Sequence, residues 1–586
     1  MKDIQIIRHS LSHIMAYAVK ELYPNVKFAI GPAVDNGFYY DFDIDEHFGA
    51  DDLKKIQKKM EKLISNNIPF ERKEVSKAEA KEIFKDQPYK LELIDDIEGD
   101  IATIYTVGNF VDLCKGPHID STKELMNVGY TLVKSCGAYW RGSEKNKMLN
   151  RIYAYAFATK DELKDYIAKQ EDAIKRDHNK LGRELEIFST TDYIGQGLPC
   201  LLPRGTKLFK ILNRFVEDEE EERGYLQTRT PLMAKSDLYK ISGHWYHYRE
   251  NMFILGDPEK DKDVLALRPM TCPFQFQAFL NKPRSYRDLP MRLNETSTLF
   301  RNEDSGEMHG LIRVRQFTIS EGHLMVSPEQ LEEEFKGCLN LAVYMLKTVG
   351  LDGDVSYRFS KWDPNNKEKY MGGAEEWERV QDAMRVILND LGLNYVEADG
   401  EAAFYGPKLD IQVKNVFGKE DTLITIQIDF QLASKFGMEY TDRDGQKKNP
   451  YIIHRTSIGC YERTIALLIE KYAGAFPLWM FPEQIAIVPV SENNYDYAKE
   501  VQKKLKSYGL RAEIDLSDIS MGKKVNNYRK IKVPYVLILG DNEQNNKTVS
   551  IKTRTQKQIN DVEFDKFVNA CIKQVEEKSL VLTEEF

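Results

Sequence analysis

The sequence predicts an α/β multidomain (α+β) chain: an antiparallel sheet at the centre, an α+β domain before it and a small α/β domain after it. Three observations carry this. The run ending Phe300-Arg301-Asn302-Glu303 and the run Leu311-Ile312-Arg313-Val314-Arg315-Gln316-Phe317, ending at His323, flank a Ser-Gly loop. That is the pattern of two antiparallel strands. Beyond the proline-bracketed stretch Phe476 to Pro482, strand-like runs alternate with helical ones, which marks a mostly parallel or mixed sheet. Before the centre, Leu11, Ile14, Met15, Ala18 and Leu22 form one helical stripe, and a Gly/Asn turn then feeds an aromatic strand at Phe38–Phe42.

The bulk numbers bound the class. At about 150 residues per domain, 586 residues suggest roughly four units. The chain is 42% apolar and 30% charged, as in ordinary globular proteins. No apolar run reaches the ~18 residues of a membrane span. The start, Met1-Lys2-Asp3-Ile4, has no signal-peptide core. Seven scattered cysteines argue against a disulfide framework, so a reduced, cytoplasmic protein is expected. A net charge of −9 argues against indiscriminate polyanion binding but leaves room for a local basic face.

Taken in order, residues 1–23 read as a helix. His9 and His13, four apart, share a face opposite the apolar stripe and are expected to look into a cleft. Residues 51–66 and 77–85 read as charged amphipathic helices. Asp112-Leu113-Cys114-Lys115-Gly116-Pro117-His118 repeats the four-residue spacing with Cys114 and His118. Two histidines plus a Cys/His pair fit zinc ligation. They also fit a metal-free hydrolytic cleft, where histidine and lysine position water and move protons. Cys136 reads as packing. Residues 160–185 form one long charged helical pattern, a linker with Arg176-Asp177-His178 as its basic end. Residues 206–223 read as a helix running into Glu217–Glu222, expected to be a solvated face. Gly224 to Pro231 then reads as helix stop, strand and proline.

At the central stretch, period two places Arg313 and Arg315 on one strand face. Guanidinium forks match phosphate oxygens, and a nearby glutamate can accept from an adenine amine. The bland alternative is an ion-paired sheet face. Further on, Phe404-Tyr405-Gly406-Pro407 reads as a turn into a strand, and Thr425–Phe430 as an alternating strand. His454-Arg455-Thr456-Ser457-Ile458-Gly459-Cys460-Tyr461-Glu462-Arg463 leads into an apolar helix. The last hundred residues read as strands at 484–490, 511–516, 535–539 and 549–553, with helices at 495–509, 523–530 and 564–577. Lys523, Lys524, Arg529, Lys530, Lys532, Lys547, Lys552 and Arg554 cluster there, a composition suited to salt-dependent nucleic-acid binding.

These strings resemble the class II aminoacyl-tRNA synthetases. Phe300 to Phe317 is similar to their motif 2, His454 to Arg463 to motif 3, and the helix and strand ending at Pro231 to motif 1, the usual dimer interface. The His9/His13 and Cys114/His118 pairs, Gly137 to Gly142 and Arg151-Ile152-Tyr153 resemble the editing domain shared by threonyl- and alanyl-tRNA synthetases. Cys272 in Arg268-Pro269-Met270-Thr271-Cys272-Pro273, read as a strand, with His323 and His454 each abutting a synthetase motif, resembles the threonyl-tRNA synthetase family over essentially the whole chain.

The resemblance implies an editing domain at 1–158, a helical linker at 159–185, a class II catalytic domain with an antiparallel sheet at 186–482, and an anticodon-binding domain at 483–586. It implies activation of L-threonine by ATP with Mg2+, transfer to tRNA-Thr, and a homodimer. Arg301 and Arg463 would be catalytic, with Arg301, Glu303, Arg313, Phe317 and Arg463 binding ATP. Glu321, Tyr405 and Gln427 would line the threonine pocket. One Zn2+ per subunit would sit on Cys272, His323 and His454, with a position left open for threonine's amine and hydroxyl, which valine cannot supply. Serine can, so His9, His13, Tyr40, Lys90, Asp112, Cys114 and His118 would line a site that clears seryl-tRNA-Thr. Glu543, Lys552 and Arg554 would read the anticodon.

Several positions depart from the family pattern. The usual ubiquitin-like domain before the editing helix is expected to be absent. Thr271-Cys272-Pro273-Phe274-Gln275 stands where Asn-Cys-Pro-x-His is common, and Thr318-Ile319-Ser320-Glu321-Gly322-His323 where Thr-Gln-Asp-Asp-Ala-His is common. Cys460 replaces a common serine. The rival readings are a prolyl or seryl enzyme, a catalytically silent RNA-binding paralogue, and an editing-only factor. The Cys/His/His trio and the His9/His13 helix argue against the first, the intact Arg301 and Arg463 against the second, and the intact motifs 2 and 3 against the third.

Overall fold

The structure, a computed structural model, describes residues 3–45 and 47–586. Two compact units divide the chain, Met1–Asp172 and Ala173–Phe586.

In the first unit, the helix Ile4–Leu22 begins where the Asp3 side chain accepts from the Gln5 N–H. It packs on the helix Ala50–Ser65 and the strand Gly37–Asp43. Covered on several sides, it is buried without a break from Ser10 to Val19. The picture of one stripe with the histidines opposite is therefore corrected: His13 is 2% exposed, whereas Leu22 is 38% exposed. One sheet runs Lys27–Phe28, Gly37–Asp43, Met148–Phe157, Gly129–Tyr139, with Ala33–Val34 also on the second strand. A smaller antiparallel sheet pairs Phe70–Ser76, Ile101–Val107 and Phe110–Leu113. Cys136, expected to pack, is exposed.

The linker is two helices rather than one, Lys160–Arg176 and His178–Glu184. Asp177 breaks it and caps the second, accepting from the Lys180 N–H at 3.0 Å. His178, read as part of the linker's basic end, is fully buried.

The second unit is built on an eight-stranded sheet in the order Leu226–Gln227, Met291–Phe300, Gln316–Val326, Tyr451–Cys460, Glu420–Asp429, Lys408–Lys414, Val355–Ser360, Tyr395–Ala398. The six inner strands are antiparallel, and each edge strand joins in parallel. Leu324, Ile424, Ile426, Ile428 and Ile453 pack into the main core with Phe335, Leu339, Ala342, Met345 and Leu346 of the helix Leu331–Val349. Alternation along the strands puts His323 and His454 on the other face.

Three expectations are corrected here. The second motif strand starts at Gln316, so Arg313 and Arg315 lie in the loop before it. Cys272 opens the helix Cys272–Leu280 rather than sitting in a strand. The acidic run in the helix Pro203–Glu222 is not all solvated: Glu220 is 1% and Glu219 9% exposed. The chain also holds a strand, Gln558–Glu563, and a short helix, Asp541–Asn546, that composition did not reveal. That strand completes a mixed five-stranded C-terminal sheet in the order Ala512–Ile514, Ile485–Pro489, Tyr535–Leu539, Thr548–Thr553, Gln558–Glu563.

Candidate functional site

His323 and His454 face each other in register on neighbouring strands, with ring centroids 4.7 Å apart. Cys272 reaches them from its helix, and the three donor atoms lie within 4.8 Å of one another, all buried. Each imidazole has one nitrogen committed. His323 Nδ1 is 2.5 Å from Gln275 Oε1, and the Gln275 amide donates to Thr228 Oγ1 at 2.7 Å. His454 Nε2 is 2.9 Å from Asp429 Oδ2. The remaining nitrogen of His323, Nε2, is buried with no hydrogen-bond partner. Outer partners that fix a ring and leave the other nitrogen free are the usual surroundings of metal-ligating histidines. Burial pushes the His323 imidazole well down and keeps it neutral, as a ligand must be. Burial, with Glu321 and Asp429 adding to it, pushes the Cys272 thiol well up, so the pocket calls for a cation before that thiol ionises. One Cys and two His are a donor set that suits zinc.

Around the trio lies a cavity of about 450 Å³. The Tyr405 ring stacks on His454 at 5.0 Å, and its hydroxyl donates to Gln427 Oε1 at 2.6 Å. Glu321 accepts from the Thr271 N–H at 3.1 Å, and its other oxygen lies 3.6 Å from His323 Nε2. Ile319 lines the same cavity, as does Cys460, whose thiol donates to Glu462 at 3.3 Å. Glu462 also accepts from the Thr318 N–H at 2.8 Å, which ties motif 3 to the second motif strand.

The cavity opens into a second, of about 580 Å³, that shares Arg301, Glu303, Ile312, Arg313, Thr422 and Arg463 with it. The Arg301 guanidinium lies 5.1 Å over the Phe317 ring. Arg463 donates from Nε to the Ile312 carbonyl at 2.9 Å and from Nη1 to that of Thr422. The expected pair of arginines on one sheet face is replaced by a folded-back loop. Arg313 donates to the Glu303 carboxylate at 2.8 Å and bridges to Glu307, while Arg315 holds the Glu303 carbonyl. So the structure brings together Arg301, Glu303, Arg313, Phe317, Glu321, Tyr405, Gln427, Cys272, His323, His454 and Arg463. Sequence reasoning missed Gln275 and Asp429, which orient the histidines, and His244, a buried wall of the cavity whose imidazole burial lowers to about 3. Gln275, one helical turn after Cys272, was the one with a readable signal.

The N-terminal unit gathers the second set. Cys114 Sγ lies 3.2 Å from His9 Nε2 and 3.3 Å from His118 Nε2. With His13 these donors sit within 4.8 Å of one another, and His13 Nδ1 is buried without a partner. Beside them Tyr40 donates to Asp112 at 2.6 Å, Lys90 donates to the Tyr40 hydroxyl at 3.1 Å, and Lys90 pairs with Asp112. Burial lowers all three imidazoles and pushes the Cys114 thiol up to about 12. At neutral pH the cleft therefore holds neutral imidazoles and a protonated thiol next to a closed Lys–Asp–Tyr chain. That set can ligate a metal or, without one, position water and carry protons.

In the C-terminal sheet the anticodon candidates differ in kind. Arg554 is corrected: all three guanidinium nitrogens donate to carbonyls, of Lys532, Ala475 and Phe476, so it is a clasp rather than an exposed base reader. Glu543 caps its own short helix, accepting from the Gly540 N–H and the Ser550 hydroxyl. Lys552 is half-buried on its strand. Lys524 is buried on the Asp515 carbonyl, and Lys532 donates to that of Ala473. Lys523, Arg529, Lys530 and Lys547 remain exposed.

An antiparallel six-strand core with parallel edges, carrying two arginines and a Cys/His/His trio at one cleft, defines a class II aminoacyl-tRNA synthetase. Residues 252–472 match the tRNA synthetase class II core domain (G, H, P, S and T), and residues 484–574 match the anticodon binding domain. Residues 102–153 match the threonyl and alanyl tRNA synthetase second additional domain. A threonine–tRNA ligase of Clostridium botulinum (strain Eklund 17B / Type B) is 57% identical over 98% of this chain and 89% of its own. One from Staphylococcus aureus (strain JH9) is 43% identical over 98% of this chain and 88% of its own. The solved RNA binding domain of threonyl-tRNA synthetase from Cryptosporidium parvum Iowa II superposes with a TM-score of 0.63 and 31% identity. It covers 70% of this chain and 99% of that one. The chain belongs to the threonine–tRNA ligase family. Among the described residues no helix is long and apolar enough to cross a membrane.

Proposed function

We propose that the chain activates L-threonine, selects it with zinc, transfers it to tRNA-Thr and hydrolyses seryl-tRNA-Thr in its N-terminal unit. The observation that carries the zinc assignment is the orphaned His323 Nε2, which lies among the Cys272 and His454 donors. Cys272, His323 and His454 would hold the ion, which when bound supplies an open position fitted to an amine and a hydroxyl together. Size alone discriminates threonine from its isostere valine only about a hundredfold.

The chain's own groups do the rest. Glu321 receives the substrate ammonium, and the Tyr405–Gln427 pair closes the pocket behind it. Arg301 and Arg463 neutralise phosphate charge as the carboxylate attacks, with Glu303, Arg313 and Phe317 framing the nucleotide. In the editing cleft His9, His13, Cys114 and His118 face the ester, while Tyr40, Lys90 and Asp112 fix the water. Lys523, Arg529, Lys530, Lys547 and Lys552 engage tRNA phosphates. The exposed edge Leu226–Gln227, with Leu226 59%, Leu232 44% and Met233 42% exposed, supports a homodimer through this face. The working boundaries are 1–158, 159–185, 186–482 and 483–586, in a cytoplasmic enzyme.

The test is ATP–pyrophosphate exchange on zinc-replete protein with threonine, serine and valine, alongside metal analysis. Strong exchange with threonine, less with serine and almost none with valine is expected. Valine exchange comparable to threonine would sink the zinc assignment. For editing, D112N should slow seryl-tRNA-Thr hydrolysis by about a hundredfold and leave exchange unchanged. Undiminished hydrolysis would remove Asp112 from the cleft's chemistry.

A further inference from the structure

We infer that His178, in the linker before the catalytic domain, is a positioning residue for ATP: it presets the loop 302–315 through the Leu311 main chain. The inference rests on the reading of the site given above.

His178 is fully buried and both of its nitrogens are used. Nδ1 lies 2.7 Å from Glu470 Oε1, and Nε2 accepts the Leu311 N–H at 3.3 Å. Those partners fix the tautomer, because the Glu470 carboxylate accepts a hydrogen bond from Nδ1–H and the Leu311 N–H donates one to Nε2. The imidazole is therefore a strut between the helix Tyr461–Tyr472 and the motif 2 loop. Asp177, His178 and His309 lie close enough to suggest a metal, but His178 has no nitrogen left for one.

The loop has little freedom to sit elsewhere. Gly310 has φ +50°, and a Cβ there would lie 2.1 Å from His178 Nε2 and 2.4 Å from Asn179 Oδ1. One residue beyond Leu311, the Ile312 carbonyl is held by Arg463 Nε at 2.9 Å. Two main-chain groups of the loop are thus pinned, one by His178 and one by the arginine assigned to the nucleotide. Glu470 extends the strut. Its second oxygen accepts the Val416 N–H at 3.3 Å, at the head of the hairpin whose Asn415, Phe417 and Lys419 line the outer cavity. The His178–Glu470 pair therefore holds both rims of that cavity: the loop bearing Glu303 and Arg313, and the hairpin opposite. The zinc trio and the Tyr405–Gln427 pair have no bond to this strut, so the threonine side should not feel its loss.

The experiment measures ATP binding by calorimetry, and exchange kinetics with KM for ATP and for threonine. The proteins are the full-length wild type, H178A, H178N and H178Q, and thermal unfolding of each reports on folding. Glutamine can place an acceptor where Nε2 stands; asparagine reaches only as far as Nδ1. We expect H178A and H178N to weaken ATP binding and raise KM for ATP about tenfold. KM for threonine should stay within about twofold, and H178Q should recover most of the loss. An unchanged Kd for ATP in H178A, or equal losses on both substrates that H178Q does not restore, would overturn the inference. Wild-type protein that binds ATP but exchanges with no amino acid would instead overturn the functional reading, and the calorimetry would still decide the role of His178.

Discussion

Gly322 stands directly opposite Arg455 on the neighbouring strand, and the guanidinium fills the space a Cβ at 322 would need, with Cζ 2.6 Å from that position. Arg455 is buried against the Tyr225 ring at 4.1 Å, and donates to Glu220 at 2.6 Å and to Ser457. Gly322, where alanine is common in the family pattern, leaves the space in which the arginine lies on the strand. The next pair in register is His323 and His454. Alanine at 322 should push Arg455 off Glu220 and shift both ligands. G322A is expected to lose about 1–3 kcal/mol, the usual cost of overpacking, and to bind zinc more weakly. Denaturant unfolding and metal analysis check it; wild-type values on both would refute it.

Glu220 is the other half of that arrangement. It takes Arg455 and Ser457 on one oxygen and the Asn294 amide on the other. Breaking a buried pair leaves an uncompensated charge and costs about 3–5 kcal/mol. E220Q should therefore lower the unfolding midpoint sharply, while E222Q, three-dimensionally on the exposed side of the same helix, should change it by less than about 0.5 kcal/mol. Equal, small effects from both would mean that the pair contributes nothing.

The same run shows what was legible in the sequence and what was not. Six acidic residues in a row look alike, and what singles out Glu220 is distant along the chain: Arg455, 235 positions away, with Ser457 and Asn294. Local pattern cannot supply that. It did supply the strand ending at Phe300, the helix Ile4–Leu22 and the strand Ile485–Pro489 after the proline-bracketed stretch. Cys272, His323 and His454 have no common spacing, so only resemblance joined them. The arginines at 313 and 315 were misread because a loop that folds back on Glu303 keeps strand-like alternation. His178 was misread because charge on both sides hid a break at Asp177. Arg554 was misread because a basic residue in a basic segment looks solvent-facing until its carbonyl partners are known.

Gln275 tests the surroundings of the trio without touching a ligand. It fixes the His323 ring and is itself held to Thr228. Losing such an outer partner lowers metal affinity about 10–100-fold. Q275L keeps the volume and removes the hydrogen bond, so zinc competition against a chelator should shift by that factor, with the unfolding midpoint of the zinc-free protein little changed. Unaltered competition would mean that Gln275 does not orient His323.

Acid sensitivity should appear away from the cleft, at Glu397. Arg385 donates to its carboxylate at 2.8 Å and Lys361 pairs with it at 2.8 Å. The hydrogen bonds from Arg385, then those from Lys361, lower its pKa from 4.5 to about 2. The folded value lies below the unfolded one, so the unfolded chain takes up the proton first as pH falls. The stabilisation is complete above pH 4.5 and drains away as pH drops through about 2. Full linkage over that interval would be worth about 3 kcal/mol. The side chain is 32% exposed, and solvent screening reduces this to about 1 kcal/mol. E397Q should therefore be about 1 kcal/mol less stable than wild type at pH 7, with the gap closing progressively below pH 4.5. Paired urea titrations across that range check it, and a gap that stays constant or widens in acid would show that the carboxylate's charge is not what stabilises this edge of the sheet.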